Sequence, residues 1–351
     1  MSLRRTLTKV LTIVFFAACA VALPRPASAD CTTALRSAGR TYPVDTISYD
    51  LRDFARKRDL PLRIMVPKGA GPFPVIVFSP GLGAGPFDYM RLNRYWAEHG
   101  YVTISIGYSD WVKGVQLARQ GVNRLTYNAV LDRLIRSPGF WRERVDDLRS
   151  VIGALSFIER TKPAHLGGIF DLNEVGIAGH SMGAATVSVV AGASLSAPGW
   201  VDAVRPVPNV RAALLLSASG PGDIGFTARS YTHVAMPLMV MSGALDDGPT
   251  GQPAQWRLSA FTQDRRDDAY SVLVDDAGHL TWTGSGLDNA TRKTAFFDAA
   301  AVTVAFWDRY LERQKAASSF LTPAAVRSCS AGMLHLRRHT GAPGRAGLHA
   351  R

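Results

Sequence analysis

Short apolar runs rich in β-branched residues recur along the chain, at 62–66, 75–78, 102–106, 175–178, 212–217, 238–241 and 271–274. Several are apolar almost throughout, which is the pattern of strands covered on both faces. Between them lie longer stretches with apolar positions at helical spacing. These fall at 89–99, 144–160, after Ser181, and at 291–314, where Phe296, Phe297, Val304 and Phe306 mark one face. The alternation predicts an α/β fold, a mostly parallel sheet with helices on both faces. No internal repeat is visible.

One connection is oversized. Residues 109–143 separate the run at 102–106 from the helix at 144–160, and they hold an amphipathic stretch with Leu125, Val130, Leu131, Leu134 and Ile135. A connection of that length has structure of its own. It reads either as a helical cap over a site or as a surface excursion packed on the sheet. Residues 30–59 read as an N-terminal arm and residues 60–316 as the folded domain. Periodicity fades beyond Ala316, so residues 317–351 read as a basic, disordered tail.

Composition sharpens the picture at the two ends. A chain of 351 residues that is 47% hydrophobic can bury a substantial core. Its formal charge of +12 invites a nucleic-acid reading. However, Arg4, Arg5, Lys9 and Arg25 precede residue 30 without an acid, and Arg313, Lys315, Arg327, Arg337, Arg338, Arg345 and Arg351 close the chain without one. The basicity belongs to the ends, and the body is close to neutral. That pattern argues against nucleic acid as a partner and confines any membrane contact to the basic ends.

The first 29 residues have the three parts of an export signal: a positive start, the mostly apolar run from Val10 to Leu23, and the cleavage site Ala27-Ser28-Ala29. The run is shorter than the ~20 apolar residues that a spanning helix needs. A secreted or periplasmic protein is expected, with lipidation at Cys19 as the alternative. Cleavage leaves Cys31 and Cys329 near opposite ends of the mature chain. Such an isolated pair in an exported protein often forms a disulfide, two unpaired thiols being the other reading. No CxxC, HExxH or His/Cys cluster occurs, so neither a metal nor a cofactor is expected.

The candidate chemistry centres on GHSMG, where Ser181 sits between an apolar run and a string of small residues. A nucleophile on a sharp strand-to-helix turn needs tiny neighbours, and Gly179 and Gly183 supply them. A serine nucleophile needs a base, and the base an orienting acid. In this architecture the chain order is Ser, acid, His. His279 follows the run at 271–274 directly and is the candidate base. No glutamate lies between Ser181 and His279, so the acid is an aspartate: Asp246 just past the run at 238–241, or Asp247 beside it. The oxyanion donors expected are the Met182 N–H, after the nucleophile, and the Leu82 N–H in the glycine-rich loop FSPGLGAGPFDY. Phe87, beside that loop, and Trp282, after His279, are candidate substrate-pocket aromatics, with core packing as the other reading.

With these residues placed, the chain resembles the serine α/β-hydrolases related to platelet-activating-factor acetylhydrolase and to dienelactone-hydrolase-like proteins. The likeness spans about residues 60–312 and rests on FPVIVFSPGLGAGPFDY with AEHGYVT, FWRERVDDLRSVIGAL, GIAGHSMGAAT, GALDDGPTG and DDAGHLTWTG. FSPG and GHSMG are also similar to bacterial cutinases and polyester hydrolases. The resemblance implies an α/β-hydrolase fold, a triad of Ser181, Asp246 and His279, and oxyanion donors at Leu82 and Met182. The expected activity is hydrolysis of a small-molecule or lipid carboxylic ester without a cofactor. An amidase or peptidase would use the same residues, and a polyester hydrolase would want an open groove. A catalytically silent surface-binding protein would keep the fold and lose the reactivity.

Overall fold

The structure, a computed structural model, describes residue 31 and residues 41–161, 167–197, 200–203, 207, 209–264 and 266–339. The segment expected to be an export signal, Cys19 within it, and the last twelve residues lie outside the described residues. In chain order the strands are β1 (Val44–Asp53), β2 (Arg58–Pro67), β3 (Phe73–Ser79), β4 (Val102–Ile106), β5 (Phe170–His180), β6 (Ser194–Ala197), β7 (Trp200–Ala203), β8 (Val210–Leu216), β9 (Leu238–Gly243), β10 (Ala269–Val274) and β11 (Leu334–Arg338). The helices are α1 (Met90–Glu98), α2 (Ser109–Arg119), α3 (Arg124–Ile135), α4 (Pro138–Gly153), α5 (Leu155–Arg160), α6 (Met182–Val190), α7 (Ser259–Gln263), α8 (Ala290–Tyr310), α9 (Ala317–Phe320) and α10 (Pro323–Cys329).

Nine strands form one sheet in the order β1-β2-β4-β3-β5-β8-β9-β10-β11, while β6 and β7 pair separately. From β4 to β10 every pairing is parallel, and the β1–β2, β2–β4 and β10–β11 pairings are antiparallel. The central strands β3 and β9 are buried along their whole length, as their unbroken apolar pattern requires. Alternate residues of one strand serve opposite faces. Val75 and Val77 of β3 pack with Val145 and Leu148 of α4 and Val187 of α6. Ile76 and Phe78 pack on the other side with Leu92 and Trp96 of α1 and Phe296 and Trp307 of α8. Helices on both faces thus hold the carboxyl ends of β3, β5, β9 and β10 open for loops.

Three expectations need correction. The segment assigned to an N-terminal arm contains β1, paired in register with β2 from Val44↔Pro67 to Asp53↔Arg58. As an edge strand it buries Leu51 and keeps Asp45, Asp50 and Arg52 outward, so it carries no apolar run to betray it. The basic segment after Ala316 is not a structureless tail up to residue 339. It folds as α9, α10 and β11, and Leu334 and Leu336 are buried against β10 in alternation with His335 and Arg337. Two leucines in a five-residue edge strand are too few to register as periodicity. Finally, the helix expected at 144–160 begins earlier, at Pro138, and breaks at Ala154 into α4 and α5.

A disulfide joins Cys31 to Cys329, at the end of α10, across a sequence separation of 298 residues. By restricting the unfolded chain such a bridge contributes about 2–4 kcal/mol. The oversized connection forms α2 and α3 and runs on into α4. No helix among the described residues is long and apolar enough to cross a membrane.

Candidate active site

Ser181 occupies the single residue between β5 and α6, with φ 55° and ψ −119°. A non-glycine residue there carries roughly 1–3 kcal/mol of backbone strain. Its neighbours hold it in place. The Ser181 N–H donates to the Leu216 carbonyl at 2.9 Å, and its carbonyl accepts the Ala185 N–H at 3.1 Å. The flanking glycines are required by space: a Cβ on Gly179 would stand 2.4 Å from the Gly183 oxygen, and one on Gly183 would stand 1.8 Å from the Ser79 oxygen. The turn therefore forces α6 tightly against the end of β3 and leaves the hydroxyl at the carboxyl edge of the sheet.

Two other strand ends bring their side chains to that hydroxyl. After β10 the chain turns through Asp276, at φ 55°, into a short 3-10 turn, His279–Thr283. His279 Nε2 lies 3.0 Å from Ser181 Oγ, and His279 Nδ1 lies 2.9 Å from Asp246 Oδ1. A carboxylate only accepts, so Nδ1 carries the proton and Nε2 is left to accept from the serine. The open choice of acid falls on Asp246: it is buried at the end of the β9 turn, whereas Asp247 is exposed. Burial would push the Asp246 carboxyl up. The hydrogen bond and charge of His279, with Ser217 and the Arg257 guanidinium, outweigh it and hold the group below the usual range. Ser242 Oγ donates to Asp246 Oδ2 at 2.9 Å. Arg257 Nε donates to the Asp246 carbonyl at 2.9 Å and stands 2.7 Å from Oδ1.

The candidate oxyanion loop is strapped from three directions. Arg144 of α4 donates from Nη2 to the Pro80 carbonyl at 2.5 Å, and Asp110 of α2 accepts the Gly83 N–H at 2.7 Å. These two side chains are joined to each other at 2.7 Å and are 1% and 0% exposed. The Arg144 guanidinium also lies over the Tyr108 ring, 3.8 Å from its centroid. Between the straps sits Leu82. Met182, on the facing side, opens α6, and the N–H groups of a first helical turn lack intrahelical acceptors. The loop and the helix end are thereby held beside the same serine.

A third strap starts at His180, which sequence reading passed over. Its Nε2 lies 2.9 Å from the His279 carbonyl oxygen, so Nε2 donates there. Nδ1 is then the acceptor of the Tyr89 hydroxyl at 2.8 Å, and the Tyr89 oxygen accepts the Gly81 N–H at 3.2 Å. Burial, followed by the nearby His279, pushes the His180 imidazole down to about 3, so it stays neutral and keeps this tautomer. Its place inside GHSMG was the only available signal. Arg144 and Asp110 gave none, because charged residues on helices read as solvent-facing.

The two candidate pocket aromatics part company. Phe87 is 48% exposed, with its ring centroid 6.1 Å from that of Trp111. For Trp282 the structure supports the core reading. The side chain is buried in the core, and its indole N–H donates to Ser217 Oγ at 2.8 Å, behind the acid turn. Asp275 and Asp276 stand apart from the site, beside His335 and Arg292 respectively. Among the described residues no group of three His, Cys, Asp or Glu side chains gathers as a metal site. No protein-family model matches the chain, and no curated protein matches it.

Removing Arg144 strands the Asp110 charge in the interior. Arg144→Met is expected to lower the unfolding free energy in urea by about 3–5 kcal/mol, and Arg144→Met with Asp110→Leu to recover at least half of the loss. A single mutant as stable as wild type would contradict the buried pairing. The folded state also binds fewer protons at His180 than the unfolded chain does. That contribution is complete above the unfolded value of 6.5 and is lost as pH falls from 6.5 toward 3. Urea midpoints measured across that window should drop more steeply for wild type than for His180→Gln; parallel profiles would count against a neutral, buried His180.

Proposed function

We propose that the protein is an exported serine hydrolase of carboxylic esters, built on the α/β-hydrolase fold and working through an acyl-serine intermediate. The observation that carries the proposal is the unbroken line from Asp246 Oδ1 to His279 at 2.9 Å and from His279 Nε2 to Ser181 Oγ at 3.0 Å. Three features support it. The residues follow the chain order Ser, Asp, His at the ends of β5, β9 and β10. The strand order and the strained turn at Ser181 fit a nucleophile presented above a mostly parallel sheet. The resemblance of the five sequence blocks to acetylhydrolase-like enzymes points the same way. The Cys31–Cys329 disulfide fits the export reading of residues 1–29.

In the first half-reaction Ser181 Oγ attacks the ester carbonyl carbon while its proton passes to His279 Nε2. The carbonyl oxygen becomes an oxyanion that accepts from the Leu82 and Met182 N–H groups, each such donor being worth ~3 kcal/mol in the transition state. Asp246 stays ionised and stabilises the imidazolium. The tetrahedral carbon then releases the alcohol oxygen, which leaves with the proton from His279. In the second half-reaction a water gives a proton to His279 and adds to the acyl-serine. Collapse frees the acid and returns the proton to Ser181. A silent binding protein would have no use for the strain at Ser181 or for three straps on the oxyanion loop. The helices α2 and α3 beside that loop favour small-molecule or lipid esters over the open groove of a polyester hydrolase.

A p-nitrophenyl ester series from acetyl to palmitoyl is expected to show turnover by wild type. Ser181→Ala should lose about 10⁴-fold or more in kcat. Equal turnover by the variant would reject the mechanism.

A further inference from the structure

A cavity of about 470 Å³ opens between the oxyanion loop and the inserted helices. That volume lies within the range of small-molecule sites. One wall is a face of α2, where Trp111, Val115 and Ala118 recur at helical spacing. Val122 and Tyr127 also line it. Gly83, the residue next to Leu82, lines it as well. Two glycines let aromatic rings rest directly on the loop: a Cβ on Gly83 would stand 2.5 Å from the Tyr127 hydroxyl oxygen, and one on Gly85 would stand 2.2 Å from Trp111 Nε1. The cavity is therefore continuous with the backbone that presents the oxyanion donor.

Its chemistry is mostly apolar. Among the described residues that line it, the one charged side chain is Asp88, which accepts the Gly85 N–H at 2.6 Å, and none is basic. Burial, and then Asp110 and Asp88, raise the Tyr127 phenol, so that hydroxyl stays neutral. A carboxylate or phosphate would meet repulsion here, whereas a hydrocarbon chain would be desolvated against indole, valine and alanine.

We propose that this cavity binds an uncharged hydrocarbon chain attached to the scissile ester, and that the α2 face sets the accepted chain length. This inference rests on the ester-hydrolase reading. It assigns to α2 and α3 the specificity of the site, with the carbonyl lying beside Leu82 and the chain running over Gly83.

Val115→Trp fills the cavity without touching Ser181, His279 or Asp246, and Ala118→Trp narrows it from an exposed position. Each variant is assayed by kcat/KM on p-nitrophenyl acetate, p-nitrophenyl octanoate and octyl acetate. The expected result is a loss of about 10-fold or more on one octyl-bearing ester, with p-nitrophenyl acetate within about 2-fold of wild type. Loss on the octanoate alone places the acyl chain in the cavity, and loss on octyl acetate alone places the alcohol there. Where the acyl chain is the occupant, a p-nitrophenyl half-ester of an eight-carbon dicarboxylic acid should react about 10-fold more slowly than the octanoate; where the alcohol is, the acetate half-ester of an ω-hydroxy eight-carbon acid should react about 10-fold more slowly than octyl acetate. Equal reactivity would overturn the exclusion of charge. Changes that are uniform across the esters, or absent, would overturn the proposal. Calorimetric titration of methyl octanoate into Ser181→Ala separates this claim from the hydrolase reading. Binding that disappears in Ser181→Ala with Val115→Trp upholds the cavity even if no ester is turned over. No binding, or binding that persists in the double variant, contradicts it.

Discussion

The first turn of α6 approaches the end of β3 so closely that one methyl group on Gly183 would stand 1.8 Å from the Ser79 carbonyl oxygen. That contact binds the geometry of the site together. It holds Ser181 in a backbone conformation that an isolated serine would leave, and it brings the Met182 N–H up against the loop that carries the Leu82 N–H. The strain is local, and the sheet supports it. The Ser181 N–H is tied to β8, while the loop beyond β3 is held by the side chain of Tyr89, just before α1, and by side chains from α2 and α4. On the proposed reading, N–H groups held in this way would need no reorganisation as charge develops on a substrate oxygen.

The polar interior follows the same logic. Buried ion pairs contribute little to stability by themselves, and an apolar replacement is often as stable. Here two buried arginines, Arg144 and Arg257, sit where backbone loops need fixing. Arg144 and Asp110 bracket Pro80 to Gly83, and Arg257 grips the carbonyls of Asp246, Asp247 and Ser217. His180, kept neutral by burial, joins the candidate oxyanion loop to the backbone of His279 through Tyr89. Side-chain hydrogen bonds thereby link the loops that follow separate strand ends.

What the sequence disclosed follows from which signals are local. The central strands announce themselves as unbroken apolar runs because both their faces are covered. The serine turn announces itself because only glycine fits at positions 179 and 183. β1 and β11 went unseen because an edge strand alternates and carries charge, and its partner is known only once the sheet exists. The choice between Asp246 and Asp247 turned on a single residue of register in a turn, which burial decides and spacing does not. Trp282 illustrates the converse: an aromatic near a candidate base reads equally well as pocket or core, and its indole N–H bonds behind the acid turn. Arg144 and Asp110 were invisible for the deepest reason, since a charge placed inside the fold is legible only through the partner that compensates it.

The central claim is that Ser181 is made reactive by His279. Rates of covalent labelling by a fluorophosphonate, with the adduct located by peptide mass spectrometry, test it most directly. The account predicts a single adduct on Ser181 in the wild-type protein and labelling slowed by about 100-fold or more in His279→Ala. An adduct on another residue, or labelling of Ser181 at an undiminished rate without the imidazole, would contradict it.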